Sequence, residues 1–160
     1  MKSNVNFNFD KLKVSQLGYV YKDIRKQTII MEQFFGVTRF NIIGPVEMNI
    51  KLREKETKWM ATGAFSRLFD GVEIELIQPE SGESIHQEFL DEGREGLHHI
   101  RYDIDDLPLV LEKFKEVGIG VLQEGKIIGL KYAYMDTESI LGIIVEFSAV
   151  KKGRKKALNI

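Results

Sequence analysis

The 160-residue sequence predicts an α+β fold built from two tandem βαβββ modules. Three observations carry that expectation. A strand, a helix and three further strands are legible twice along the chain; short segments of the two runs match in the same order; and polar residues able to hold a ligand fall at matching places in both.

The first run opens with Val14 to Tyr21, which reads as a strand. Lys22 to Phe35 follows with Ile24, Ile29, Ile30, Phe34 and Phe35 spaced for the apolar face of a helix, and Gly36 ends it. Between Thr38 and Gln78 the pattern is strand-like, with breaks expected at Gly44-Pro45, Arg53 to Lys58 and Asp70-Gly71. Asp70-Gly71 is the clearest hairpin signal among them. Glu80 to Glu95 is polar and reads as a linker with a short helix, because Ile85, Phe89 and Leu90 lie at helical spacing.

The second run repeats the order: a strand over Leu97 to Ile104, a helix from Pro108 to Val117 ended by Gly118, and strands near Gly120 to Gln123, Ile127 to Met135 and Gly142 to Ser148. Laid over the first, His99-Ile100-Arg101-Tyr102 falls on Gln16-Leu17-Gly18-Tyr19, and Asp106-Leu107 on Asp23-Ile24, at an offset of 83 residues. Val117-Gly118-Ile119 falls on Phe35-Gly36-Val37 at 82, and Gly142 to Phe147 on Gly71 to Leu76 at 71. Three weak matches in one order argue for internal duplication. The expected organisation is an N-terminal extension over 1–13, a first module over 14–79, a linker over 80–95, a second module over 96–149 and a basic tail over 150–160.

Composition narrows the function. A formal charge of -1 gives no field to draw the chain to nucleic acid or an anionic membrane, so the expected partner is a small molecule. The absence of cysteine removes disulfides, thiolate nucleophiles and cysteine metal sites, which leaves only N and O ligands for any metal. No signal-like or membrane-spanning apolar run is present, and a cytoplasmic location is the expectation. Phosphate-binding glycine loops and nucleophile elbows are also absent.

The repeat points to the chemistry. Gln16 and His99 occupy equivalent places on the first strands of the two modules, and Glu75 and Glu146 on the last. Each has an ordinary role open to it: a backbone bond for Gln16, a satisfied core position for His99, a solvent face for Glu75. Their recurrence at equivalent places favours one shared site. Glu146, inside the apolar run Gly142 to Phe147, is costly to bury without a partner. Two carboxylates, an imidazole and an amide oxygen suit one divalent ion such as zinc, nickel, cobalt, manganese or iron. Such an ion polarises a substrate carbonyl while a glutamate moves a proton, which is enolate or enediolate chemistry.

These residues resemble the vicinal oxygen chelate superfamily over about residues 14 to 149. The run Glu95-Gly96-Leu97-His98-His99-Ile100, then Asp103 to Asp106 and Leu111 to Gly118, looks most like methylmalonyl-CoA epimerase, as does Glu75-Leu76-Ile77-Gln78-Pro79. The quartet Gln16, Glu75, His99 and Glu146 is instead similar to that of glyoxalase I, since epimerases usually offer His where this chain has Gln16. The chain also lacks the epimerases' common His-Pro after Gly129, and has no acid on Trp59 to Arg67 for a second base. The resemblance implies a curved sheet around a metal site, a homodimer, His99 rather than His98 as the ligand, and Glu146 as both ligand and acid/base. It implies an isomerase or lyase that moves a proton next to a carbonyl of an acyl thioester or 2-oxo compound through a metal-bound enolate or enediolate, with Glu146 and Glu75 as catalytic residues. The competing readings are a non-heme iron dioxygenase and a non-catalytic drug-binding protein.

Arg101 shares a face with His99 and is the expected substrate-binding cation, a structural partnership with a glutamate being the alternative. His98 is expected to point away from His99, His86 to be structural, and Tyr132 and Tyr134, two apart on one face, to pack in the core. The basic run Lys151 to Lys156 reads as a solvated tail.

Overall fold

A computed structural model of the protein describes residues 9–68 and 70–150. Residues 1–8 of the expected N-terminal extension and the basic run Lys151 to Lys156 lie outside the described residues. The first module comprises β1 (Val14–Val20), α1 (Ile24–Phe34), β2 (Asn41–Leu52), β3 (Lys55–Arg67) and β4 (Glu73–Gly82). A short helix α2 (Ile85–Asp91) leads to the second: β5 (Gly96–Ile104), α3 (Leu107–Glu116), β6 (Val121–Ile127), β7 (Leu130–Met135) and β8 (Ile144–Val150), with α4 (Glu138–Leu141) between the last two strands.

The equivalent helices start and stop by the same chemistry. Asp23 accepts from the Lys26 amide and Asp106 from the Leu109 amide, so each satisfies an amide that the first turn leaves free. Past their ends stand Gly36 and Gly118 at φ 64° and 80°, left-handed values open to glycine.

The strands close into one sheet in the order β1-β4-β3-β2-β6-β7-β8-β5. Each module contributes four consecutive strands, and two antiparallel seams, β1 with β5 and β2 with β6, join them within the chain. The repeat inferred from sequence is reproduced in the register: Gln16 lies opposite Glu73 on β4, and His99, at the equivalent place, opposite Ile144 on β8. Across the β1–β5 seam Gln16 faces Arg101 and Gly18 faces His99. Exchanging the two modules maps one of those pairs onto the other, which describes a local twofold relation.

Three apolar clusters follow from alternation along the strands. One gathers the outer face of the first module with Ile24 of α1, and another the outer face of the second module with Leu107 and Val110 of α3. The third is interior: Ile50, Trp59, Ile77, Tyr132 and Tyr134 meet Ile85, Phe89 and Leu90 of α2. Helix α2 therefore plugs one end of the closed sheet.

Several boundaries differ from expectation for identifiable reasons. Gly44-Pro45 does not end a strand: β2 runs through it with a register shift between Ile43 and Val46, where the ladder is interrupted and the missing proline amide costs nothing. The break expected over Arg53 to Lys58 is only the two-residue turn Arg53-Glu54, both at positive φ, and Arg53 is held there by a bidentate pair with Glu88. Ile127 ends β6 rather than opening β7, because Ile128-Gly129 makes the turn with both residues at positive φ. Strand β4 continues to Gly82, into the stretch expected as a linker, and α4 was not anticipated.

Gly18 matters for the seam, since a Cβ built there would overlap Cε1 and Nε2 of His99. Gly18→Ala is expected to destabilise by about 1–3 kcal/mol through overpacking, against about 1 kcal/mol for Asp106→Ala through loss of one cap. Urea denaturation of both variants checks the ranking.

Candidate functional site

The four expected ligands sit on four strands that are contiguous in the sheet, β8-β5-β1-β4. Gln16, His99 and Glu146 are buried, at 1, 0 and 4 % exposure, and Glu75 is partly buried. Glu75 Oε2 lies 3.5 Å and Glu146 Oε2 3.3 Å from His99 Nε2. The side chain of Ser148, two residues on from Glu146 and on the same face, donates to Glu146 Oε1 at 2.8 Å. One oxygen of Glu146 is thus fixed while the other is left toward the imidazole.

The charges hold one another in place. Burial alone would lower the pKa of His99, but the adjacent Glu146 and Glu75 carboxylates outweigh it and raise the value to about 9. Burial likewise pushes the Glu146 carboxyl up, while contacts with His99, Arg101 and Ser148 bring it below its ordinary value. Tyr134, fully buried beside these groups, is pushed well above its ordinary value by burial and by the two carboxylates, and stays a neutral hydroxyl donor.

Gln16 is oriented by a residue that sequence reasoning overlooked. Its Nε2 donates to Glu73 Oε1 at 2.6 Å, and because a carboxylate only accepts, the amide oxygen must turn elsewhere. Glu73 Oε1 also lies 3.5 Å from Nη1 of Arg101, whose Nε is 3.2 Å from Asp103. Arg101 therefore has the structural partners that were its alternative role, and it also lines the cavity. The signal for Glu73 was present in the alternation Val72-Glu73-Ile74-Glu75, which puts both glutamates on one face.

Gln16 Oε1 is buried without a hydrogen-bond partner among the described residues, and His99 Nε2 and Glu146 Oε2 meet only at 3.3 Å, too poorly aligned for a good hydrogen bond. Each such atom costs about 1–3 kcal/mol if nothing meets it. Glu75, His99 and Glu146 each offer a ligand atom within 4.8 Å of the others, so the donor set fits a divalent cation. Gln16, Glu73, Glu75, Arg101, Tyr134 and Glu146 all line one cavity of 460 Å³, whose remaining walls are mostly apolar and include Ile43, Met48, Trp59 and Phe65.

One histidine departs from expectation. At the β1–β5 seam the register slips between Gly18–His99 and Tyr19–Leu97, leaving His98 as the extra residue of a bulge. His98 consequently does not point away from its neighbour: its Nδ1 is 3.0 Å from Nδ1 of His99. His86 of α2 stacks on Trp59 and lies 4.8 Å from the His98 ring. Tyr134, expected as packing, sits edge-on to His99 at 5.0 Å. Nothing in strand periodicity announces a bulge, so alternation alone misplaced His98.

The fold has clear relatives. The hypothetical protein BH1468 from Bacillus halodurans aligns with a TM-score of 0.62 at 21 % identity, covering 89 % of this chain and 96 % of its own. Methylmalonyl-CoA epimerase from Mycobacterium tuberculosis aligns with 0.62 at 12 % identity, covering 86 % and 87 %. The Streptomyces coelicolor methylmalonyl-CoA epimerase in complex with 2-nitronate-propionyl-CoA aligns with 0.57 at 16 %, covering 88 % and 95 %. At these identities the likeness is one of fold. No curated protein matches the sequence. No helix among the described residues is long and apolar enough to cross a membrane. Residues 15–134 match the glyoxalase/bleomycin resistance protein/dioxygenase superfamily, and with most of its length so matched the chain belongs to that family.

Proposed function

We propose that the protein is a metal-dependent isomerase or lyase that moves a proton on the carbon next to a substrate carbonyl. The observation that carries this reading is the meeting of Glu75 Oε2 and Glu146 Oε2 at one imidazole nitrogen beside an apolar cavity. Gln16, Glu75, His99 and Glu146 would hold the ion, which when bound supplies Lewis acidity toward the carbonyl.

The chain's own groups account for the rest. Glu146 Oε2 is the base for the α-proton: Ser148 fixes the opposite oxygen, so the free one has a set direction and a carbonyl compound in the cavity brings its α-carbon to it. Glu75 returns a proton from the first module's side. Arg101, aimed by Glu73 and Asp103, pairs with an anionic group of the substrate. The apolar walls keep bulk water off the reacting carbon, while Glu75 and Glu146 exchange their protons with solvent between turnovers.

An acyl thioester is the substrate class best supported. A groove of 770 Å³ adjoins the cavity and shares Val46, Met48, Ile127, Ile128 and Tyr132 with it. The groove is lined by Glu47, Glu56 and Glu124 as well as Lys51, Lys126 and Lys131. Lys51 is paired with Glu54, and Lys126 and Lys131, opposite each other on β6 and β7, are the cations we assign to the anionic tail of a long substrate whose acyl group occupies the cavity.

Incubation with methylmalonyl-CoA, and separately with 2-oxo compounds, in deuterated water is expected to give α-deuteration detected by NMR; no incorporation with any of them would sink the proposal. Chelation is expected to abolish exchange and readdition of a divalent ion to restore it. Glu146→Gln should lower kcat about 10²–10⁴-fold with little change in KM, whereas Arg101→Lys should act mainly on KM because the bidentate fork is lost.

A further inference from the structure

The chain contains three histidines, and all three meet in the interior. His86 is 1 % exposed, packed between Trp59 and the rings of His98 and Tyr134, and neither of its nitrogens has a hydrogen-bond partner among the described residues. Nε2 of His98 is buried in the same condition. A neutral imidazole carries one donor and one acceptor, and a phenyl ring would fill the same space without the desolvation cost of either. The proposed reaction uses neither His86 nor His98, and no hydrogen bond among the described residues accounts for the polarity of His86.

The ligand-capable nitrogens of His86, His98 and His99 lie within 4.8 Å of one another. His99 faces two ways: Nε2 toward Glu75 and Glu146, and Nδ1 toward Nδ1 of His98 at 3.0 Å. Two Nδ1 atoms that close either share a proton or turn both lone pairs to one ion. We propose that His86, His98 and His99 form a second metal site, for a borderline transition ion such as zinc, nickel or copper(II), on the side of His99 remote from the carboxylates. Three imidazoles with no oxygen donor select such ions over manganese or magnesium, which the carboxylate side accommodates more readily. The bulge at His98 is what turns the second imidazole toward the third, and stacking on Trp59 fixes the first. When both sites are filled, His99 bridges them as an imidazolate, its two lost protons released to solvent.

This site does not require the proposed activity, and its test separates the two. Untagged, metal-stripped protein is loaded with zinc, desalted and analysed by plasma mass spectrometry. Wild type is expected to retain two equivalents, His86→Phe one, and the double variant Glu75→Gln/Glu146→Gln one. Because the chain has no other histidine, copper(II) added to the double variant should show nitrogen hyperfine coupling from imidazoles in its electron paramagnetic resonance spectrum, and His86→Phe added to that background should weaken it. The proposal is overturned if wild type and His86→Phe retain the same number of ions, or if the copper spectrum of the double variant lacks imidazole coupling. Circular dichroism confirms that each variant is folded, and the wild-type stoichiometry needs no variant at all.

Discussion

Two carboxylates brought to one buried imidazole set the terms for everything around them. Like charges this close repel, and each loses hydration that the protein must replace. The replacement is visible residue by residue: Ser148 on one oxygen of Glu146, Arg101 nearby as a fixed cation, and His99 between the two acids. The closed sheet is what makes the meeting enforceable, because β4 and β8 come from different modules and are kept apart only by β1 and β5. A sheet opened at the β1–β5 seam would let the acids separate. With the seam closed they cannot.

The twofold relation between modules is broken at the site itself. Gly18 and Arg101 are equivalent positions, yet one has no side chain and the other the longest cation available. The vacancy at Gly18 accepts the His99 ring, while Arg101 reaches toward Glu73. Glu73 itself is equivalent to Ile144, so the amide of Gln16 is steered on one side only. Equivalent positions of the two modules thus carry different side chains and form one asymmetric site.

Much of this was legible in the sequence because duplication preserves spacing. The offsets of 83 and 71 residues that align Gln16 with His99 and Glu75 with Glu146 are the offsets that the strand registers obey. The helix ends were readable too, from Asp23 and Asp106 before them and Gly36 and Gly118 after. What escaped was whatever interrupts a period. The bulge at His98 reversed a facing assignment, Pro45 stood inside a strand it was expected to end, and turns at Arg53-Glu54 and Ile128-Gly129 gave no glycine-first or asparagine signal. Glu73 was missed for a different reason: its role depends on Gln16 across the sheet, a relation that no single strand displays.

The plug formed by α2 bears on how such a chamber would be used. Ile85, Phe89 and Leu90 pack into one end of the sheet, and Ile43 and Ile128 are among the apolar residues lining the cavity. A molecule seated against Glu146 then stands between the acids and bulk water, so each occupant screens the site from solvent for as long as it stays. A chamber closed at one end would take its guests one at a time, each leaving by the way it came before the next could enter.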